Sequence, residues 1–146
     1  MRIVLLSVGR ERADPTAPLV ADYLSRIRKR LPVEEIVLKA EREDRLAARM
    51  LRARRRGELL VALDERGRQL GSIELAERVQ SWMNRAVAGV CFAVGGANGL
   101  PARVSREADE RLALSRLTLP HRIARLVLAE QLYRALEIQR GSAYHK

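Results

Sequence analysis

The stretch 89-GVCFAVGGANGLP-101 decides the fold. Gly89 to Val94 are apolar without interruption, glycines follow at 95, 96 and 99, and Pro101 stands where proline opens a helix. An apolar run that ends in a glycine loop and a helix start reads as a strand buried on both faces, as in parallel sheets. Working outward, the same alternation recurs. The segments 2-RIVLLSV-8, 33-VEEIVLK-39 and 58-ELLVALD-64 read as strands before it, and 112-LALSRLTL-119 holds a fifth strand with a turn after it.

Helical patterns fill the gaps. Asp14 before Pro15 reads as a helix cap, followed by Leu19, Val20, Tyr23, Leu24 and Ile27 at helical spacing and stopped by Leu31-Pro32. Arg42 to Arg56 is a strongly basic helical pattern, with Glu43 and Asp44 near its start and arginines crowding its end, as the helix dipole favours. Gly57 stops it. Ser72 reads as the cap of a helix carrying Ile73, Ala76, Val79 and Met83, and Pro101 opens a short one. The last helix runs from Ile123 to Gln139 and is apolar around much of its girth. The prediction is one α/β domain over residues 1–146, a mostly parallel sheet with helices on both faces.

Composition narrows the function. A net charge of +10, with 25 arginines among the 28 basic residues, favours a polyanionic partner, nucleic acid ahead of membrane. No apolar run is long enough to span a bilayer. The start, 1-MRIVLLSVGR-10, has a short apolar run with Arg10, Glu11, Arg12 and Asp14 close behind, which makes a first strand and a poor signal peptide. The lone Cys91 excludes an internal disulfide and fits a reducing cytoplasm; in mid-strand it reads as a small core residue. Aromatics are limited to Tyr23, Trp82, Phe92, Tyr133 and Tyr144, too few for a base-stacking platform, and Trp82 reads as core or interface.

Single motifs leave alternatives open. The loop 94-VGGANGL-100 matches neither G-x-G-x-x-G nor a P-loop, and on its own residues a tight turn and a ligand loop are equally compatible with it. In 117-LTLPH-121, Thr118 and Pro120 fit turn and helix-start chemistry, and His121 reads first as a cap or surface histidine. Arg49, Arg52 and Arg56, three or four apart, predict one positive stripe for RNA phosphates. The last helix is either central to the core or a homodimer interface, with Glu130 paired to Arg134 within it or across such an interface. The end, 144-YHK-146, is either a frayed terminus or a docked tail redirected by Gly141.

Taken together these segments resemble the RlmH family of the SPOUT class of rRNA methyltransferases. The residues that carry the resemblance are 5-LLSVGR-10, Tyr23-Leu24, 63-LD-64, 95-GGANGL-100, 113-ALSRLTLPH-121, 128-LAEQLYRA-135 and 144-YHK-146. The resemblance implies a carboxy-terminal trefoil knot, which nothing in composition or periodicity reveals. It implies S-adenosylmethionine held by Leu63, Gly95, Gly96 and Gly99 together with Leu114, Ser115, Arg116, Leu117, Thr118 and Leu119. Family members often have Pro-Glu where this chain has Ala97-Asn98, so the chain lacks that carboxylate and whatever contact it makes, while Asn98, which tolerates left-handed backbone angles, is expected to keep the turn. The implied reaction is methylation of N3 of a pseudouridine in 23S rRNA of the assembled ribosome. Tyr144, His145 and Lys146 would then serve the active site across a homodimer built on the last helix: Tyr144 orienting the base, His145 accepting the imide proton, Lys146 stabilising the imidate. The runners-up are a SPOUT enzyme acting on tRNA or a ribose 2′-oxygen, and a non-catalytic basic ribosome-associated protein.

Overall fold

The computed structural model describes residues 1–9 and 13–146; Arg10, which closes the amino-terminal pattern, and Glu11 and Arg12 lie outside the described residues. Its elements are β1 (Arg2–Val8), α1 (Ala17–Arg28), β2 (Val33–Leu38), α2 (Glu43–Ala53), β3 (Glu58–Gln69), α3 (Ser72–Asn84), β4 (Gly89–Ala93), α4 (Ala102–Glu107), β5 (Glu110–Ala113) and α5 (His121–Gln139). The five strands form one all-parallel sheet in the order β2-β1-β4-β3-β5. The α/β fold with helices on both faces is therefore as the sequence predicts.

The central strands explain why the sheet is covered twice. Ile3 and Leu5 of β1, with Val90 and Phe92 of β4, join the core under α1, α3 and α5. Their alternating neighbours Val4, Leu6, Cys91 and Ala93 join a second core under α2 and α4. Strands apolar on both pleats need a layer on each side. Leu128, Leu132 and Leu136, one turn apart on α5, are at most 1% exposed and anchor that helix to the larger core. Cys91 is buried, and burial pushes its thiol up to about 12, consistent with a core residue.

Several boundaries differ from the sequence reading, each for a local reason. Asp14 does not cap α1 directly. Its carboxylate accepts the Thr16 N–H at 2.9 Å and hydroxyl at 2.6 Å, building a turn that delays the helix to Ala17. Leu19 and Ile73, expected on buried faces, are 52% and 55% exposed. Ser72 is the first residue of α3 and not its cap; Glu74 accepts the Gly71 N–H at 3.0 Å, and the Ser72 hydroxyl donates to Gln131 on α5 at 2.6 Å. The basic helix ends at Ala53, and the chain turns through Gly57 at φ +84°. Arg56 is therefore off the helix, and the expected stripe of Arg49, Arg52 and Arg56 is broken. β3 continues five residues past Asp64, and β5 begins earlier and is shorter than expected, leaving 114–120 as a loop.

Candidate active site

In open parallel sheets ligands sit at the carboxyl ends of the strands, and three strand ends meet there in this chain. β3 carries a bulge: Leu63 and Arg68 both face Leu112 of β5, so Asp64 to Gly67 swing out of register. β4 leads into the glycine loop, tied to β1 where the Val94 N–H donates to the Leu6 carbonyl at 2.8 Å. β5 leads into residues 114–120, which end at α5. Between these segments lies a cavity of about 800 Å³, within the range of small-molecule sites.

The walls match most of the expected ligand set. Leu63, Gly95, Gly96 and Gly99 line the cavity, as do Leu114, Ser115, Leu117, Thr118 and Leu119. Arg116 does not; it is exposed on the outside of the loop. The glycine loop folds back on itself, with the Gly99 N–H donating to the Gly96 carbonyl at 3.0 Å and Gly99 at φ +80°. A Cβ on Gly95 would stand 2.5 Å from the Gly99 carbonyl carbon and from the Leu100 nitrogen. Bare backbone at Gly95 is thus a condition of the loop folding back on itself. Asn98 takes part in the same turn without distortion, since the only positive-φ residue other than glycine among those described is Ala86.

Two acids complete the wall. Asp64 accepts from the Ser105 hydroxyl at 3.0 Å and from the Arg66 N–H at 2.9 Å. The Arg66 backbone bond above all, then the Arg66 and Ser105 side chains, hold this carboxyl below the ordinary range despite partial burial. Glu65 accepts from the Thr118 hydroxyl at 3.3 Å, linking the β3 bulge to the loop after β5. Asp64 stands out in the sequence only as part of 63-LD-64, without a role, and Glu65 not at all; the bulge that aims them appears only once β5 pairs with both sides of it. His121, read as a cap or surface residue, lines the cavity from the first turn of α5.

The tail is docked but not in this cavity. Tyr144 donates its hydroxyl to Glu130 at 3.0 Å and stands edge-on to Tyr133, ring centres 4.8 Å apart. Arg134 binds the same Glu130 oxygen through Nε at 2.9 Å and Nη2 at 2.6 Å, confirming that pair within one helix. Its Nη1 lies 3.1 Å from His145 Nδ1. The cavity reaches α5 only at His121 and Ala124. Ten residues of helix separate Ala124 from Arg134, about 15 Å at 1.5 Å per residue. Tyr144, His145 and Lys146 therefore do not join the cavity of their own chain.

Of the three arginines expected to meet RNA, Arg49 is held by Glu41 at 2.9 Å, while Arg52 and Arg56 are exposed. Among the described residues no group of His, Cys, Asp and Glu has metal-binding geometry, and no helix is long and apolar enough to cross a membrane.

A parallel sheet with a glycine loop at its carboxyl edge is compatible with several cofactor-binding classes, and the family model described as "Predicted SPOUT methyltransferase", which matches residues 1–145, makes this chain a SPOUT methyltransferase. Within that class the chain belongs to the ribosomal RNA large subunit methyltransferase H family. It is 43% identical over 154 residues to the member from Anaeromyxobacter sp. (strain K), with both chains covered fully. It is 42% identical to that of Sorangium cellulosum (strain So ce56), covering 99% of each. Among solved structures it is similar to a probable methylase family protein from Haemophilus influenzae Rd KW20. That match has a TM-score of 0.55 at 13% identity, over 99% of this chain and 70% of the other, a likeness of fold.

Proposed function

We propose that this protein transfers a methyl group from S-adenosylmethionine to N3 of a pseudouridine in 23S rRNA of the ribosome. The observation that carries the reading is the cavity of about 800 Å³ walled by the glycine loop, the β3 bulge and the loop after β5. Its contents suit this donor. Leucine side chains offer apolar walls to a purine, loop amides offer donors where no side chain intrudes, and Asp64 and Glu65 offer negative charge near a cationic ligand. The substrate class rests on the relatives, named as ribosomal RNA large subunit methyltransferases, and on the net charge of +10.

S-adenosylmethionine supplies an activated methyl group, so the residues need chiefly to align N3 with it and manage the imide proton. The separation of the tail from its own cavity favours a homodimer in which each tail serves the partner's cavity. The α5 surface fits this reading: Ile123 is 39% exposed, and Leu126 and Val127 are half-buried. The carboxy-terminal trefoil knot and a cytoplasmic location belong to the same proposal. Calorimetric titration with S-adenosylmethionine tests its first step. Saturable binding is expected; a purified, folded protein that binds none of it would end the proposal.

A further inference from the structure

We infer that Arg134, held by Glu130, keeps His145 as the neutral imidazole with its proton on Nε2, so that the tail meets its substrate as a hydrogen-bond donor and not as the proton acceptor. The inference rests on the reading that the tail serves methyl transfer. Its geometric basis is the 3.1 Å contact between Arg134 Nη1 and His145 Nδ1. A guanidinium has only donors to offer. Nδ1 must then accept, which it does only with its lone pair free, and the ring proton sits on Nε2. An imidazolium would set N–H against N–H and lose the contact.

Arg134 is not free to turn away. Two of its nitrogens bind Glu130 Oε1, and its guanidinium lies 4.8 Å from the centre of the Tyr144 ring. Tyr144 shares that Glu130 oxygen as a donor at 3.0 Å. Burial first, then Tyr23 and Glu130, push the Tyr144 phenol well above its ordinary range, so the tail holds no phenolate either. Arg134 is thus the charged group in contact with the imidazole, and Glu130 acts on the ring through it.

This changes the chemistry assigned to the tail. Loss of the N3 proton to water leaves negative charge on the imide oxygens. An Nε2–H donor stabilises that charge as an oxyanion donor does, with Lys146 beside it. Arg134 and Glu130 act as positioning residues.

The test is long-range ¹⁵N–¹H NMR of the two histidine rings in full-length, [¹⁵N]histidine-labelled protein, His145 being assigned by its loss in His145→Gln. The expected spectrum is the Nε2–H tautomer for His145. Arg134→Met, which has no donor, should bring in the Nδ1–H form, and Arg134→Lys, still a donor, should retain the original one. In methyl transfer, His145→Ala should lose about 100-fold, the scale for one oxyanion donor. His145→Gln, whose amide donates but cannot take a proton, should lose under about tenfold. A native spectrum of the Nδ1–H tautomer or the imidazolium would overturn the inference, as would Gln no better than Ala. Failure of the tail reading itself appears differently, as an undiminished rate after deletion of residues 144–146, and it would overturn the catalytic role while leaving the tautomer intact.

Discussion

Replacing Gly95 with alanine should disable the donor cradle while leaving the sheet standing. The added Cβ would lie 2.5 Å from two backbone atoms, the Gly99 carbonyl carbon and the Leu100 nitrogen, where ordinary contact begins at 3.4 Å. That is about 0.9 Å too close, and backbone cannot rotate aside as a side chain can. The loop must open by roughly 1 Å. Such a displacement of a positioned group costs on the order of 100-fold in activity, and overpacking of this kind costs about 1–3 kcal/mol of stability. The neighbours supply internal controls. A Cβ on Gly96 meets the Val8 side chain at 3.3 Å, a mild crowding, and one on Gly99 meets nothing within 4 Å but sits at φ +80°. A left-handed alanine costs about 1–2 kcal/mol. Calorimetric titration with S-adenosylmethionine should therefore rank the variants Gly95→Ala far weakest, Gly99→Ala next and Gly96→Ala nearest the parent. A Gly95→Ala protein with parental affinity and melting temperature would refute the reasoning that the loop's self-contact shapes the cradle.

Three further outcomes follow from the same geometry. Glu58 is buried but receives Arg2 Nε at 2.8 Å and the Arg55 N–H at 2.9 Å. Burial raises its pKa, yet these bonds and charges more than offset that, and the pKa lies below its ordinary value. Its contribution to stability is then complete above the unfolded carboxylate value of about 4.3 and lost as pH falls through the lower folded one. Glu58→Gln should cost about 3 kcal/mol near neutrality and flatten the acid decline in thermal unfolding; an unchanged acid profile would contradict this. Cys91, buried and with its thiol pushed up to about 12, should resist thiol reagents in the native protein and react only on unfolding; native-state labelling would show that β4 opens. Arg52→Ala and Arg56→Ala should each weaken ribosome binding and lower its salt slope, whereas Arg49→Ala should do less because Glu41 already holds that charge at 2.9 Å. Equal slopes in all three would return these arginines to a solvated face.

The sheet was legible because β1 and β4 are apolar on both pleats, a pattern that only a doubly covered strand tolerates. The continuation of β3 was not, since 65-ERGRQ-69 carries no apolar alternation; its pairing with β5 through a bulge is a tertiary event. The basic helix over-ran for the opposite reason. Arg54 to Arg56 have good helix propensity, but the backbone is already extended at Arg54, and the Arg55 N–H donates to the buried Glu58 carboxylate at 2.9 Å and not to a helix carbonyl. At the site, the glycine loop was visible in outline, but the cavity it lines also takes in Asp64 and Glu65, which the β3 bulge carries there. Glu130 and Tyr144 are fourteen residues apart, so their hydrogen bond lay beyond any helical spacing rule.

Transfer of labelled methyl from S-adenosylmethionine to ribosomes lacking the modification, followed by mass analysis of the nucleosides, tests the central claim most directly. Label recovered in N3-methylpseudouridine of 23S rRNA is the predicted result. Label on a ribose 2′-oxygen or on tRNA would contradict the assigned substrate, and no transfer by a donor-binding protein would contradict its assignment as a ribosomal enzyme.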